Sequence, residues 1–351
     1  MAEKKDPTIV ESGDHWSPDV LDEARLLVLR HPVVDAHADF AWRHLEEDAD
    51  FVSGRNCKQI SLSQWQAANV RLQGAALFTP KEHTGEAATA YLRRMLDYVE
   101  GSVAARPDDL ALIRSKADLA AHDLTSLHSR KVGLIPWIEG VAPLAGSFER
   151  FDEFVARGVK GIGLTHNVAN EAGDGCFVEE ATGLTDFGSE LVIRMQEQGI
   201  TLDLAHLSRA AFWQIVRIVW RPMVCTHTGI DAKVKSPRNL DDQQLHAIAD
   251  TGGVIGVDFY PGHVGRVGKT GKTRGTVRDV FTVIDYIVEL VGDDHVALGS
   301  DFDGFSDDCV DLESIVQLPN LVAEMLGRGY TEERIRKILG ANWLRVLDAT
   351  W

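Results

Sequence analysis

The 351-residue chain carries 36 Lys and Arg against 53 Asp and Glu, a formal charge of −17 at pH 7, with 44% hydrophobic and 25% charged residues. That length and apolar share suit one large α/β barrel or two ordinary domains, and they exclude a disordered or collagen-like chain. The negative charge is unrelieved by any Lys/Arg-rich stripe, which argues against nucleic acid as a partner.

Residues 1–30 read as an N-terminal extension. Met1-Ala2-Glu3-Lys4-Lys5-Asp6-Pro7 is not followed by the apolar core of roughly 7 to 15 residues that a signal peptide needs. No run reaches the roughly 18 apolar residues of a membrane span, and Leu347 to Trp351 form no hydrophobic anchor tail. Cys57, Cys176, Cys225 and Cys309 make no C-x-x-C pair, which argues against a disulfide framework and a Cys-built zinc site. A cytoplasmic location without a membrane anchor is expected.

Eight short, β-branched, apolar runs follow in order: Val33 to Asp39, Gly74 to Thr79, Val132 to Glu139, Gly158 to His166, Thr201 to His206, Pro222 to His227, Gly253 to Tyr260 and Val296 to Asp301. Their nearly continuous hydrophobicity predicts parallel strands buried on both faces. Amphipathic helical segments separate them, among them Thr185 to Gln198, Asp241 to Asp250 and Val277 to Val291. This alternation predicts a (β/α)8 barrel as a single domain over 1–351, closed by a helix over 331–348 that opens on a Thr-Glu-Glu cap. A doubly wound open sheet has the same alternation, but no G-x-G-x-x-G follows any strand. The insertion over roughly 40–73 is long enough to reach the barrel mouth. Gly262, Gly265, Gly268 and Gly271 fit no phosphate motif and read as a flexible loop.

Catalytic groups in a barrel stand at the C-terminal ends of its strands. Strand one ends in Asp35-Ala36-His37-Ala38-Asp39, strand three in Glu139, strands four, five and six in His166, His206 and His227, and strand eight in Asp301. Singly each has a plain structural explanation, and Asp39 could simply cap the next helix. Together they gather carboxylates that would repel one another unless a cation neutralised them. An H-x-D pair, a Glu and two further His are too many for one structural zinc. They suit two catalytic divalent ions about 3.5 to 4 Å apart, bridged by the Glu. Imidazole and carboxylate donors without Cys point to Zn²⁺, with Mn²⁺, Co²⁺ or Fe²⁺ as alternatives.

Several segments together resemble the renal or membrane dipeptidase family over nearly the whole chain. They are Val-Asp-Ala-His-Ala-Asp (34–39), Trp-Ile-Glu-Gly (137–140), Leu-Thr-His-Asn (164–167), Gly-Leu-Thr-Asp-Phe-Gly (183–188), Asp-Leu-Ala-His-Leu-Ser (203–208), Thr-His-Thr with Arg238-Asn239, Gly-Ser-Asp-Phe-Asp-Gly (299–304) and Gly-Ala-Asn-Trp-Leu-Arg-Val (340–346). The resemblance implies a two-zinc barrel that hydrolyses dipeptides, often with a D-residue second, and in some members β-lactams. It implies His37 and Asp39 as ligands of one metal, Glu139 as the bridge, and His206 and His227 as ligands of the other. His166 would contact the scissile carbonyl oxygen, Asp301 would carry the proton between attacking water and departing amine, and Arg238 would clamp the free carboxylate. Tyr260 matches a pocket aromatic, and related barrels often pair as homodimers. The chain departs from the family pattern at Ala38, at Ala76-Leu77-Phe78-Thr79-Pro80, at Gly140-Val141-Ala142-Pro143 and over Asn167 to Gly175. Another amide, a lactam or an amino-acid conjugate is therefore the alternative substrate, and a non-catalytic binding barrel the alternative from another class.

Overall fold

A computed structural model describes residues 16–126, 129–267 and 273–351. Its eight barrel strands are β1 Val33–Ala38, β2 Val70–Phe78, β3 Val132–Glu139, β4 Gly161–Gly163, β5 Thr201–Asp203, β6 Val224–Thr228, β7 Val254–Val257 and β8 Val296–Leu298. Each pairs with its neighbours in parallel, β1 pairs with both β2 and β8, and β2 pairs with β3 from Leu72↔Gly133 to Phe78↔Glu139. The sheet is thus a closed barrel, as the alternating pattern predicts. A short additional strand, Leu110–Leu112, lies against the first part of β3, where β4 does not reach.

Two strand boundaries teach something about burial. β2 starts at Val70, four residues before the predicted Gly74, because Arg71 and Gln73 look like a break in an apolar run. Both are buried, and Arg71 donates through Nη1 and Nη2 to the carbonyls of Asp123, Ser126 and Ser129. The ladders of β4, β5, β7 and β8 instead stop three residues short of His166, His206, Tyr260 and Asp301. The apolar run continues there, tied to its neighbours by single backbone bonds such as Phe259 N to Ser300 O and Asp301 N to His37 O rather than by a regular ladder. The insertion after β1 folds as helices Phe40–Glu47 and Leu62–Ala67, buries Phe51 and Trp65, and reaches the mouth through Trp42.

The opposite end of the barrel is plugged by the C-terminal segment, which departs from the single predicted helix. Glu332–Arg336 and Asn342–Thr350 are α-helical, and Lys337–Ala341 between them forms a π turn. Asn342 bonds the carbonyls of Asp293 and Val296, and Trp343 Nε1 donates to Leu298 O at 2.9 Å. Helix Pro18–Arg30 is tied to this segment through Arg30 and His31, each 2.9 Å from Glu332. The segment after β7 is more ordered than a plain loop. Pro261–Val264 forms a helical turn, and Arg266–Val267 pairs antiparallel with Thr273–Arg274, while Gly268 and Gly271 lie outside the described residues.

Candidate active site

The strand ends deliver their side chains to one place. Asp39 sits at the N-cap of helix Phe40–Glu47 but makes no capping bond, so its carboxylate is free for the mouth. His206 and Asp301 adopt left-handed backbone conformations, φ +62° and +59°, that non-glycine residues seldom occupy without a compensating role. Neighbouring loops hold them there: Cys176 N and Thr165 Oγ1 donate to His206 O, and Asp301 N donates to His37 O at 3.1 Å.

The two oxygens of Glu139 face different partners. Oε2 lies 3.4 Å from His37 Nε2, which is itself 3.5 Å from Asp39 Oδ2. Oε1 lies 3.0 Å from His206 Nε2 and 3.5 Å from His227 Nε2. The two Nε2 atoms of His206 and His227 are 3.0 Å apart, and Asp301 Oδ1 is 4.0 Å from His37 Nε2. His37 is fully buried and neither ring nitrogen has a hydrogen-bond partner. Three ligand groups emerge within this cluster: His37, Asp39 and Glu139; Glu139, His166 and His206; and His37, His227 and Asp301.

The outer partners of the two later histidines set which nitrogen is bare. His206 Nδ1 is 2.8 Å from Asn167 Oδ1, an acceptor, so Nδ1 carries the proton and Nε2 its lone pair. Thr226 Oγ1 donates to Asp203 Oδ2 at 2.6 Å and so accepts from His227 Nδ1 at 2.9 Å, with the same result. Asp203 also takes Trp137 Nε1–H at 3.0 Å and the amides of Ala205 and Thr226. Asp203 stood in a quoted motif, but nothing in its sequence context marks it as the carboxylate that orients His227.

Electrostatics point the same way. Burial, then Arg238, holds His206 well below the usual imidazole range, and burial with His37 does the same for His227. Burial alone would raise Glu139, but His37 and His206 outweigh it and hold its carboxyl well below the usual range. Burial alone would lower His37, but Glu139 and Asp39 push it well above. Burial, reinforced by Asp39, drives Asp301 well above the carboxylate range. With the protein's own groups alone, a protonated His37 and a neutral Asp301 offset the clustered negative charge. Divalent cations would supply that compensation, and the bare imidazole nitrogens, the unpartnered His37 and the divergent oxygens of Glu139 fit them.

A cavity of about 570 Å³ opens over this cluster and is lined by seven of the nine predicted residues: Asp39, Glu139, His166, His206, Arg238, Tyr260 and Asp301. His37 and His227 lie beneath it. His166 packs its ring against Phe78 at 4.4 Å and His206 at 4.3 Å, and burial lowers its pKa. Arg238 is buried, and its Nη2 donates to His227 O at 2.7 Å, so part of the predicted fork is committed to the backbone. Tyr260 stands against Phe305 and His263. His263, Phe177 and Trp42 complete the walls and were not anticipated from the sequence.

The family model of the membrane dipeptidases, peptidase family M19, matches residues 21–350. The chain belongs to this family. Membership makes it a metal-dependent hydrolase. Among its relatives, the Klebsiella pneumoniae uncharacterized protein in the pqqA 5′ region is 35% identical over 248 residues, covering 68% of this chain and 90% of that protein. The solved dipeptidase AC, a metallopeptidase of family M19, is 25% identical with a TM-score of 0.84, covering 92% of this chain and 99% of its own. A metallopeptidase from Rhodobacter sphaeroides, liganded with a phosphinate mimic of L-Ala-D-Ala, shares the fold at 24% identity and TM-score 0.83, covering 92% of this chain and 100% of its own. No helix among the described residues is long and apolar enough to cross a membrane.

Proposed function

We propose that this membrane dipeptidase family member hydrolyses small dipeptides with a free C-terminal carboxylate, L-D dipeptides included, using two divalent ions, with Zn²⁺ the expected metal. The observation that carries the reading is the divergence of the Glu139 oxygens, one toward His37 and Asp39 and the other toward His206 and His227. Those five side chains would hold the ions, with Glu139 between them. When bound, the cations neutralise the converging carboxylates, polarise the scissile carbonyl and make a water nucleophilic near neutral pH. The phosphinate complex of the Rhodobacter relative supports a dipeptide as substrate.

The chain's own residues would then divide the remaining work. His166, at the cavity wall beside Glu139 and His206, offers an N–H to the oxygen on which negative charge develops. Asp301, its Oδ1 4.0 Å from His37 Nε2, takes the proton from the attacking water and hands it to the departing nitrogen. Arg238 binds the terminal carboxylate, and Tyr260 walls the pocket next to it. One barrel spanning the whole chain is the unit that acts. Cys57, Cys176, Cys225 and Cys309 are all unpaired, which suits the cytoplasm as its location.

The departure at strand two supports a second reading of the substrate. Thr79 and Lys81 line a further cavity of about 400 Å³ that meets the first at Glu139 and His166, room for an acyl part larger than an amino acid. A panel of L-L and L-D dipeptides, their amides and β-lactams separates the two readings. Protein purified without chelators should contain about two Zn²⁺ per chain, lose dipeptide hydrolysis on chelation, and regain it with Zn²⁺. Undiminished hydrolysis after chelation, or only trace metal, would sink the proposal.

A further inference from the structure

We infer that His263, held by Asp258, is a second binding residue for the substrate's terminal carboxylate and completes the site that Arg238 begins. The inference rests on the dipeptidase reading above. A free guanidinium can grip both oxygens of a carboxylate with two parallel N–H bonds. Arg238 spends one of its five N–H groups on the backbone, Nη2 donating to His227 O at 2.7 Å, while its buried Nε has no partner. A carboxylate gripped by the remaining N–H groups would still keep lone pairs to satisfy.

His263 lies where that second donor is needed. It lines the cavity with Arg238 and Tyr260, its ring edge-on to Tyr260 at 4.8 Å. Nδ1 is 2.7 Å from Oδ2 of Asp258, a fully buried carboxylate whose Oδ1 has no partner. With Nδ1 so engaged, Nε2 is the ring atom without a partner among the described residues and the one left to meet a substrate carboxylate. Arg238 is the one Arg or Lys among the described residues of that lining, so an anion is favoured beside it.

The backbone shows that this corner is built. Asn239, next in sequence to Arg238, donates through Nδ2 to His263 O at 3.0 Å and accepts from Gly229 N at 3.2 Å. Asp258 N donates to Thr228 O, and Thr228 Oγ1 reaches Arg238 O at 3.4 Å. Gly229 is required for the close approach, since a Cβ there would stand 2.3 Å from His263 O. The arginine and the histidine are therefore held in fixed relation by two strand ends, and not by the flexible loop the glycines suggested.

The test is steady-state hydrolysis of one free-acid dipeptide and its C-terminal amide by metal-loaded wild type, His263→Leu and His263→Gln. Loss of a hydrogen bond to a charged group predicts that His263→Leu raises KM for the free acid roughly 10- to 100-fold, with kcat within about threefold and a much smaller rise for the amide. His263→Gln keeps a side-chain N–H and should recover most of the loss. Equal effects on acid and amide, or a fall confined to kcat, would overturn the inference and leave His263 a structural staple of the loop. A wild type that hydrolyses neither substrate would overturn the dipeptidase reading first and this inference with it.

Discussion

Replacing Asp203 by Asn is the sharpest probe of how the barrel interior serves the site. Asp203 is buried and accepts four hydrogen bonds, Oδ1 from the amides of Ala205 and Thr226 and Oδ2 from Trp137 Nε1 and Thr226 Oγ1. An amide can keep its oxygen toward the two backbone donors, but its NH2 then faces two further donors. The Thr226 hydroxyl can reverse, whereas the indole N–H cannot, and a stranded buried donor costs about 1 to 3 kcal/mol. Adding the weaker bonds of a neutral acceptor gives about 2 to 4 kcal/mol, a large part of the roughly 5 to 15 kcal/mol that holds a domain folded. At about 2.1 cal/mol/K of unfolding entropy per residue, the chain should melt about 3 to 5 °C lower. The reversed hydroxyl would also donate to His227 Nδ1 and move the ring proton to Nε2, so zinc affinity should fall roughly 10- to 100-fold. Thermal melts and a competitive zinc titration check both. The added variant Trp137→Phe removes the stranded donor, so the double variant should lose less than the sum of the singles. Strict additivity, or an Asp203→Asn protein with wild-type melting and zinc affinity, would refute the reasoning.

Two further outcomes follow from packing and burial. Gly161 pairs with Trp137, and a Cβ there would stand 2.2 Å from the indole, so Gly161→Ala should displace Trp137 from Asp203 and destabilise by about 1 to 3 kcal/mol; a variant melting with wild type would refute this. Burial pushes Asp303 up from 3.8 to about 7, so the folded state holds a proton that the unfolded chain has lost between about pH 4 and 7. Stability of the metal-stripped protein should therefore fall as pH rises through that window and level off above about 7. Asp303→Asn should flatten that slope in melts from pH 4 to 8; an unchanged slope would count against the assignment.

The fold was largely legible because parallel strands buried on both faces leave long apolar runs, and because those runs end in groups that have no place in a core. His37, Glu139, His206 and His227 could be picked out for that reason. The boundaries near Arg71 and Gln73 were not legible, since a polar residue bonded to distant carbonyls looks like a strand break until its partners are known. Asp203 was missed for a related reason, because its partners Trp137 and Thr226 come from other strands, while Asp258 meets His263 five residues on only because the chain turns there after β7.

The sequence alone determined which polar side chains end the strands, because side-chain type and position at a strand end are local properties of the chain. Only the tertiary structure decided that the two oxygens of Glu139 face different histidines, that Arg238 spends one arm on His227 O, and that His263 and Asp258 form a pair beside it. The first two relations join different strands and loops and exist only once β2 closes on β3 and brings eight strand ends into one ring, and the local His263–Asp258 pair gains its place beside Arg238 from the same closure. No periodicity along the chain encodes a contact of that kind.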